Sequence, residues 1–119
     1  MRTILCVDPH HERLRALAAI LQSRGYACIV VQELDKAERN VAANHVDLIV
    51  VFRGNWAGQR LKKIRNVPVL VVHEEMEMSK VPHTENVVVY NPEAPELLLQ
   101  AVKKLLDAHE DGSVEIGLQ

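Results

Sequence analysis

Five short runs of consecutive apolar residues punctuate the chain. They are Ile4-Leu5-Cys6-Val7, Cys28-Ile29-Val30-Val31, Leu48-Ile49-Val50-Val51-Phe52, Val69-Leu70-Val71-Val72 and Val87-Val88-Val89-Tyr90. Four of the five are rich in β-branched residues. Unbroken runs, rather than alternation, are expected of strands buried on both faces, as in a parallel sheet covered by helices.

Helical periodicity fills the gaps. Leu14, Leu17, Ala18 and Leu21 keep i, i+3, i+4, i+7 spacing, and Gly25 supplies a stop. Leu34, Ala37 and Val41 predict a second helix, and Ala57, Leu61 and Ile64 a short third. Leu97, Leu98, Ala101, Val102 and Leu105 predict the last helix, opened by Pro95 and Glu96. Between His73 and Asn86 the pattern fades. Met76 and Met78 stand among Glu74, Glu75, Glu77 and Lys80 before Pro82, which reads as an irregular turn or a loop. Residues 110–119 carry two glycines and no helical pattern, and are expected to form a flexible C-terminal tail after a domain over residues 1–109.

The order is β-α-β-α-β-α-β-(α)-β-α. Right-handed crossovers with helices on both faces favour a doubly wound sheet of strand order 2-1-3-4-5. In such a sheet the working site lies beyond the C-terminal strand ends. There the sequence places Asp8 to His11, Phe52 to Asn55, His73 to Glu75, and Asn91 with Pro92.

Composition narrows the picture. The 119 residues are 48% apolar but only 3% aromatic, so the core must be aliphatic. Fourteen basic against 16 acidic residues leave a net charge of -2, without the footprint of a nucleic-acid or anionic-membrane binder. The apolar stretch Ile4 to Val7 is too short for a signal peptide, and no run approaches a membrane span, so a cytoplasmic location is expected. Cys6 and Cys28 lack metal-type spacing and read as reduced core thiols.

The ordered set of segments resembles a response-regulator receiver domain. Ile4-Leu5-Cys6-Val7-Asp8, followed by Leu14, Leu17, Leu21, Gly25 and Tyr26, is similar to that family's first βα unit. Asp47 to Val51 resembles its third strand, and Val67-Pro68-Val69-Leu70-Val71-Val72 its fourth. Val88-Val89-Tyr90-Asn91-Pro92, then Pro95-Glu96-Leu97-Leu98, resembles the fifth strand and last helix. The resemblance spans about residues 2 to 107. It implies a flavodoxin-like five-stranded parallel sheet, here with shortened third and fourth helices, and a two-component signalling context.

The resemblance also implies a phosphorylation chemistry whose parts this chain replaces. That chemistry needs an acceptor carboxylate after the third strand and an acidic pair after the first to hold Mg²⁺. It also needs a hydroxyl after the fourth strand and a lysine after the fifth. Phe52 stands at the acceptor position. Asp8 matches the first acidic residue, but Pro9 stands at the second. His73 occupies the hydroxyl position, Asn91 the lysine position, and Pro92 after it matches. Val88 takes the place of the aromatic switch residue. Asp8, Pro9, Phe52, His73, Asn91 and Pro92 thus outline a vestigial phosphorylation pocket. Asp8 is read as an acceptor for backbone N–H groups at the start of the first helix ahead of a remnant that still binds a cation, and Phe52 as an apolar plug ahead of a ligand-stacking ring.

Other chemistry finds less support. Asp8, His10, His11 and His73 are an alternative metal-ligand set, because imidazole and carboxylate hold Zn²⁺ or Ni²⁺. The competing reading makes His10 and His11 solvated residues at a helix start. Asp8-Pro9-His10 matches the opening of a cobalamin motif, but Arg13 stands where that motif needs glycine. No phosphate-binding glycine loop or nucleophile elbow occurs. Trp56 on a loop beside Arg53 reads either as a contact anchor or as a lid over the short third helix. Met76 and Met78 offer an adaptable surface or the inner face of a turn.

The expectation is a pseudo-receiver: no enzyme, no catalytic residue and no cofactor, but a regulatory module read by a protein partner. Trp56, Met76, Met78 and Tyr90 are its candidate contacts. Homodimerisation is expected through Val87 to Tyr90 and the outer side of Glu96 to Asp107. The alternative is a metal or small-ligand sensor in the vestigial pocket.

Overall fold

β-branched runs favour extended backbone, and their unbroken apolar character requires cover on both sides. A computed structural model shows this arrangement. It describes residues 1–52, 60, 61, 63, 64, 66–74, 87–90 and 94–118. The strands are β1 (Thr3–Val7), β2 (Ala27–Val31), β3 (Leu48–Phe52), β4 (Val69–Glu74) and β5 (Val87–Tyr90). The helices are α1 (His11–Ser23), α2 (Leu34–Ala43) and α3 (Glu96–Leu118). All strand pairs are parallel, in the order β2-β1-β3-β4-β5.

The sheet separates two apolar layers. Ile4, Cys6, Leu48, Val50, Phe52, Leu70 and Val72 face α1 and α3, where Leu14, Leu17, Leu21, Leu98, Val102 and Leu106 meet them. Leu5, Val7, Ile49, Val51, Val69 and Val71 face the other way, against Ala37 and Val41 of α2, with Leu61 and Val67. Strand alternation therefore sends neighbouring residues of each apolar run to opposite cores. β2, at the sheet edge, is covered less than its run suggests, and Val30 is 46% exposed.

Local devices fix the ends. Gly25 has φ +89°, and Tyr26 N–H returns to the Leu21 carbonyl at 3.3 Å, closing α1 in a left-handed turn. The starts of β1 and β3 are locked reciprocally. Thr3 N–H donates to Asp47 Oδ2 at 2.8 Å, and Asp47 N–H donates to the Thr3 carbonyl at 2.8 Å. Residues 60, 61, 63 and 64 are helical where a short third helix is expected, and Leu61 is buried. The expected irregular segment before β5 lies outside the described residues.

The last helix differs from expectation. Its backbone stays helical through Leu118, past the start of the tail expected over residues 110–119. Glycine in a helix costs about 1 kcal/mol relative to alanine. Gly112 and Gly117 weaken the helical pattern in the sequence without by themselves forbidding continuation of a helix already formed. None of the helices among the described residues is long and apolar enough to cross a membrane.

Candidate functional site

Asp8 leaves β1 at the C-terminal edge of the sheet. Its N–H adds a last rung to the β1–β2 ladder, donating to the Val31 carbonyl at 3.2 Å. Among the described residues Asp8 is the one charged residue that is fully buried. A buried carboxylate is expensive unless it is paired and hydrogen-bonded.

Arg13 provides the pairing. Its Nε donates to Asp8 Oδ2 at 2.6 Å and its Nη2 to Asp8 Oδ1 at 2.8 Å. The planar fork thus meets both carboxylate oxygens, the strongest geometry available to this pair. His10 N–H adds a third bond, to Oδ1 at 2.9 Å. The expectation that Asp8 accepts from the backbone at the helix start is therefore met by His10, while the charge itself is answered by Arg13.

The start of α1 makes this reach feasible. His10 is the N-cap, and its Nδ1 accepts from Arg13 N–H at 3.3 Å. Arg13 sits on the first turn, five residues beyond Asp8, with its side chain folded back over the strand end. Its side chain is only 17% exposed.

Phe52 forms the floor. It ends β3, is 4% exposed, and belongs to the core shared with Leu14, Cys6 and Val72. The Arg13 guanidinium carbon stands 4.5 Å from the centre of its ring. A cation over an aromatic face is attracted by the ring quadrupole, more so where water is excluded. Arg13 is thus held by a carboxylate on one side and a ring on another.

Sequence reasoning missed this role of Arg13. The signal was present: a carboxylate at a buried strand end requires a cation or hydrogen-bond donors within reach.

The remaining candidates are dispersed. His73 lies on β4, opposite Val89 in register, and is partly exposed. Leu70 and Val72 belong to the α1–α3 layer and Val69 and Val71 to the α2 layer. Alternation thus sets position 73 in the row of the α2 side, unlike Phe52. His11 is exposed at the start of α1. Among the described residues no three His, Cys, Asp or Glu side chains converge as a metal site. Of the alternative ligand set Asp8, His10, His11 and His73, His10 caps a helix and both oxygens of Asp8 are held by a guanidinium. Trp56, Met76, Met78, Asn91 and Pro92 lie outside the described residues, and Tyr90 is placed on β5.

No family model matches the chain, and no curated protein matches it. Solved structures do. The response regulator TrrA from Thermotoga maritima, in complex with Mg²⁺-BeF, superposes with a TM-score of 0.73 at 21% identity, over 88% of this chain and 99% of that one. The N-terminal domain of a response regulator/sensory box/GGDEF protein from Carboxydothermus hydrogenoformans gives 0.77 at 20% identity, over 94% and 99%. A CheY-like receiver domain from Methanospirillum hungatei gives 0.74 at 17% identity, over 94% and 98%. Superposed over nearly its whole length on these structures, the chain has the fold of a response-regulator receiver domain.

Proposed function

We propose that this chain is a pseudo-receiver: a non-catalytic, phosphorylation-independent signalling module that works by protein–protein contact. One observation carries the reading. The Arg13 guanidinium occupies both oxygens of Asp8 and lies over Phe52, at the strand ends where a receiver would gather Mg²⁺ and a phosphoryl acceptor.

The chemistry follows from the charges. Mg²⁺ demands near-octahedral oxygen ligands and gives up its water reluctantly. To bind here it must displace an internal cation from a lone carboxylate, since Pro9 brings no second one. Phe52 has no oxygen to phosphorylate. The guanidinium supplies the positive charge that Asp8 needs, permanently and without an exchangeable ion. The site then has one charge state, where a phosphorylatable receiver has two.

A partner is thus met by a constant surface. The solved complex of histidine kinase ThkA with response regulator TrrA, 18% identical to this chain and with a TM-score of 0.71, is a case of this fold docked to a signalling protein. For this chain the contacts proposed are Trp56, Met76, Met78 and Tyr90. A homodimer through β5 and the outer side of α3 is part of the same proposal, as is a cytoplasmic location. Asp8, Pro9, Phe52, His73, Asn91 and Pro92 are its vestigial pocket.

The test is incubation with Mg²⁺ and acetyl phosphate, followed by intact-mass measurement. The reading expects an unmodified chain. Addition of one phosphoryl group would overturn it. A native mass spectrum of protein purified from its host separates the contact module from the ligand sensor. A complex with a second protein, or a doubled mass without metal, supports contact; a monomer carrying stoichiometric metal supports the sensor.

A further inference from the structure

Away from the Asp8 site, the sheet ends in an open strand. Among the described residues β2 pairs with β1 on one side and with no strand on the other. Ala27 N–H donates to the Arg2 carbonyl at 2.9 Å, and Asp8 N–H donates to the Val31 carbonyl at 3.2 Å. In a parallel strand the N–H and C=O of one residue point to the same side, and successive residues alternate. Ala27, Ile29 and Val31 therefore turn their backbone groups to β1. Those of Cys28 and Val30 point outward, and neither has a backbone partner among the described residues.

Edge strands are commonly guarded by charge, proline or a bulge, because an open edge templates further pairing. Ala27-Cys28-Ile29-Val30-Val31 has no charge and no proline, and its register against β1 is unbroken over all five residues. The helices cover it incompletely: Val30 is exposed, whereas β3 is buried throughout.

Charge lies beside the strand instead. A groove of about 220 Å³ is lined by Val30, Val31 and Gln32, by Arg15 of α1, and by Glu33 and Lys36 at the start of α2. Arg24, the C-cap of α1, stands shortly before the other end of β2. Among the described residues Arg15, Arg24 and Lys36 form no ion pair. Three cations against Glu33, flanking an uncharged edge in a chain of net charge -2, are complementary to an acidic partner. A second copy fits less well. Antiparallel pairing of two β2 strands would bring the Arg24 end of one to the Arg15 and Lys36 end of the other, and like charges would oppose it.

We propose that the β2 edge docks an extended acidic segment of a partner protein, which adds to the sheet as a further strand. The segment's backbone pairs with the outward N–H and C=O groups of Cys28 and Val30. Its apolar side chains cover Val30, and its acidic side chains meet Arg15 from the α1 side and Lys36 from the α2 side. The surface is separate from the contacts proposed above and uses neither Asp8 nor Arg13. Peptide binding can therefore fail while the pseudo-receiver proposal stands.

The probe is a short capped peptide with a valine-threonine middle and a pair of glutamates at each end. Neighbouring glutamates of an extended chain point to opposite faces, as Arg15 and Lys36 require. The peptide is titrated into the full chain and followed by backbone amide resonances and amide hydrogen exchange. The expected result is saturable binding, weakened by salt, with exchange slowed at Cys28 and Val30. Ile29 and Val31, already bonded to β1, should gain no protection. Arg15→Glu/Lys36→Glu should weaken binding by about tenfold or more. Val30→Pro removes an outward N–H without touching the β1 ladder, and should abolish binding at an edge position that tolerates proline. Urea midpoints confirm that the variants fold, and the charge variant carries the test should Val30→Pro not. Unslowed exchange at Cys28 and Val30 under excess peptide would overturn the proposal. So would equal binding of the same peptide with lysines for glutamates, or full binding by the charge variant. A doubled mass without peptide, with Cys28 and Val30 protected, would assign the edge to a second copy and overturn it too.

Discussion

Arg13 grips both carboxylate oxygens of the buried Asp8, at 2.6 and 2.8 Å, from a position five residues further along the chain. A single turn of helix thereby neutralises the charge at the end of β1. Removing one member leaves the other uncompensated. Arg13→Ala should lower stability by about 3–5 kcal/mol, as for other broken buried pairs. The double variant Asp8→Leu/Arg13→Met removes both charges and should cost less than Arg13→Ala alone. Urea unfolding midpoints of the single and double variants check this; a double variant less stable than the single would contradict it.

Phe52 contributes volume and a ring face. Phe52→Ala opens the core below the guanidinium and should cost about 3–5 kcal/mol. Phe52→Leu keeps most of the volume but loses the ring under Arg13, worth about 0.5–2 kcal/mol. The difference between the two midpoints separates packing from the cation–ring contact.

Much of this architecture is legible in the sequence. The five apolar runs are the five strands, within one or two residues, and the two-sided burial they imply is real for β1 and β3. The helix face Leu14, Leu17, Ala18 and Leu21 is the buried face of α1. Exposure of Val30 was not legible, because an apolar run does not say whether its strand is central or at an edge. Nor was the length of α3, whose glycines read as a break.

The site was half legible. That Phe52 ends the third strand and that Pro9, not a second acid, follows Asp8 can be read from the sequence. The role of Arg13 cannot, because a charged residue on a first helical turn usually faces solvent. Only the burial of its partner shows that this one turns inward. The backbone amide and the Nδ1 of His10 serve the strand end and the helix start, which its place beside Asp8 in the sequence does not reveal.

Asp47 gives a pH dependence of known sign. Partial burial pushes its carboxyl upward. That is outweighed by the Thr3 N–H, by His45 at 2.8 Å and by the Arg2 charge, so its pKa falls below the usual carboxylate value. A carboxyl depressed in the folded state stabilises above its unfolded pKa. That contribution is lost as pH falls through the lower folded value. The urea midpoint of the parent chain should therefore drop as the pH falls below the ordinary carboxylate range. Asp47→Asn should flatten part of that drop; an unchanged acid limb would contradict the assignment.

Gly25 tests the turn between α1 and β2. Its φ of +89° is strained for any L side chain, yet a Cβ there would meet nothing within 4 Å. The penalty is thus conformational rather than steric. Gly25→Ala should cost about 1–2 kcal/mol, and Gly25→Asn less, because asparagine tolerates the left-handed region. Thermal or urea midpoints of the two variants give the order directly.

The central claim is that Arg13 stands in place of an exchangeable cation at Asp8. It is tested most directly by Mg²⁺ titration of the purified chain, followed through the backbone amide resonances of Asp8, His10, Arg13 and Phe52. The account predicts no saturable shift at these four residues. A saturable shift centred on Asp8, with one Mg²⁺ bound per chain, would contradict it.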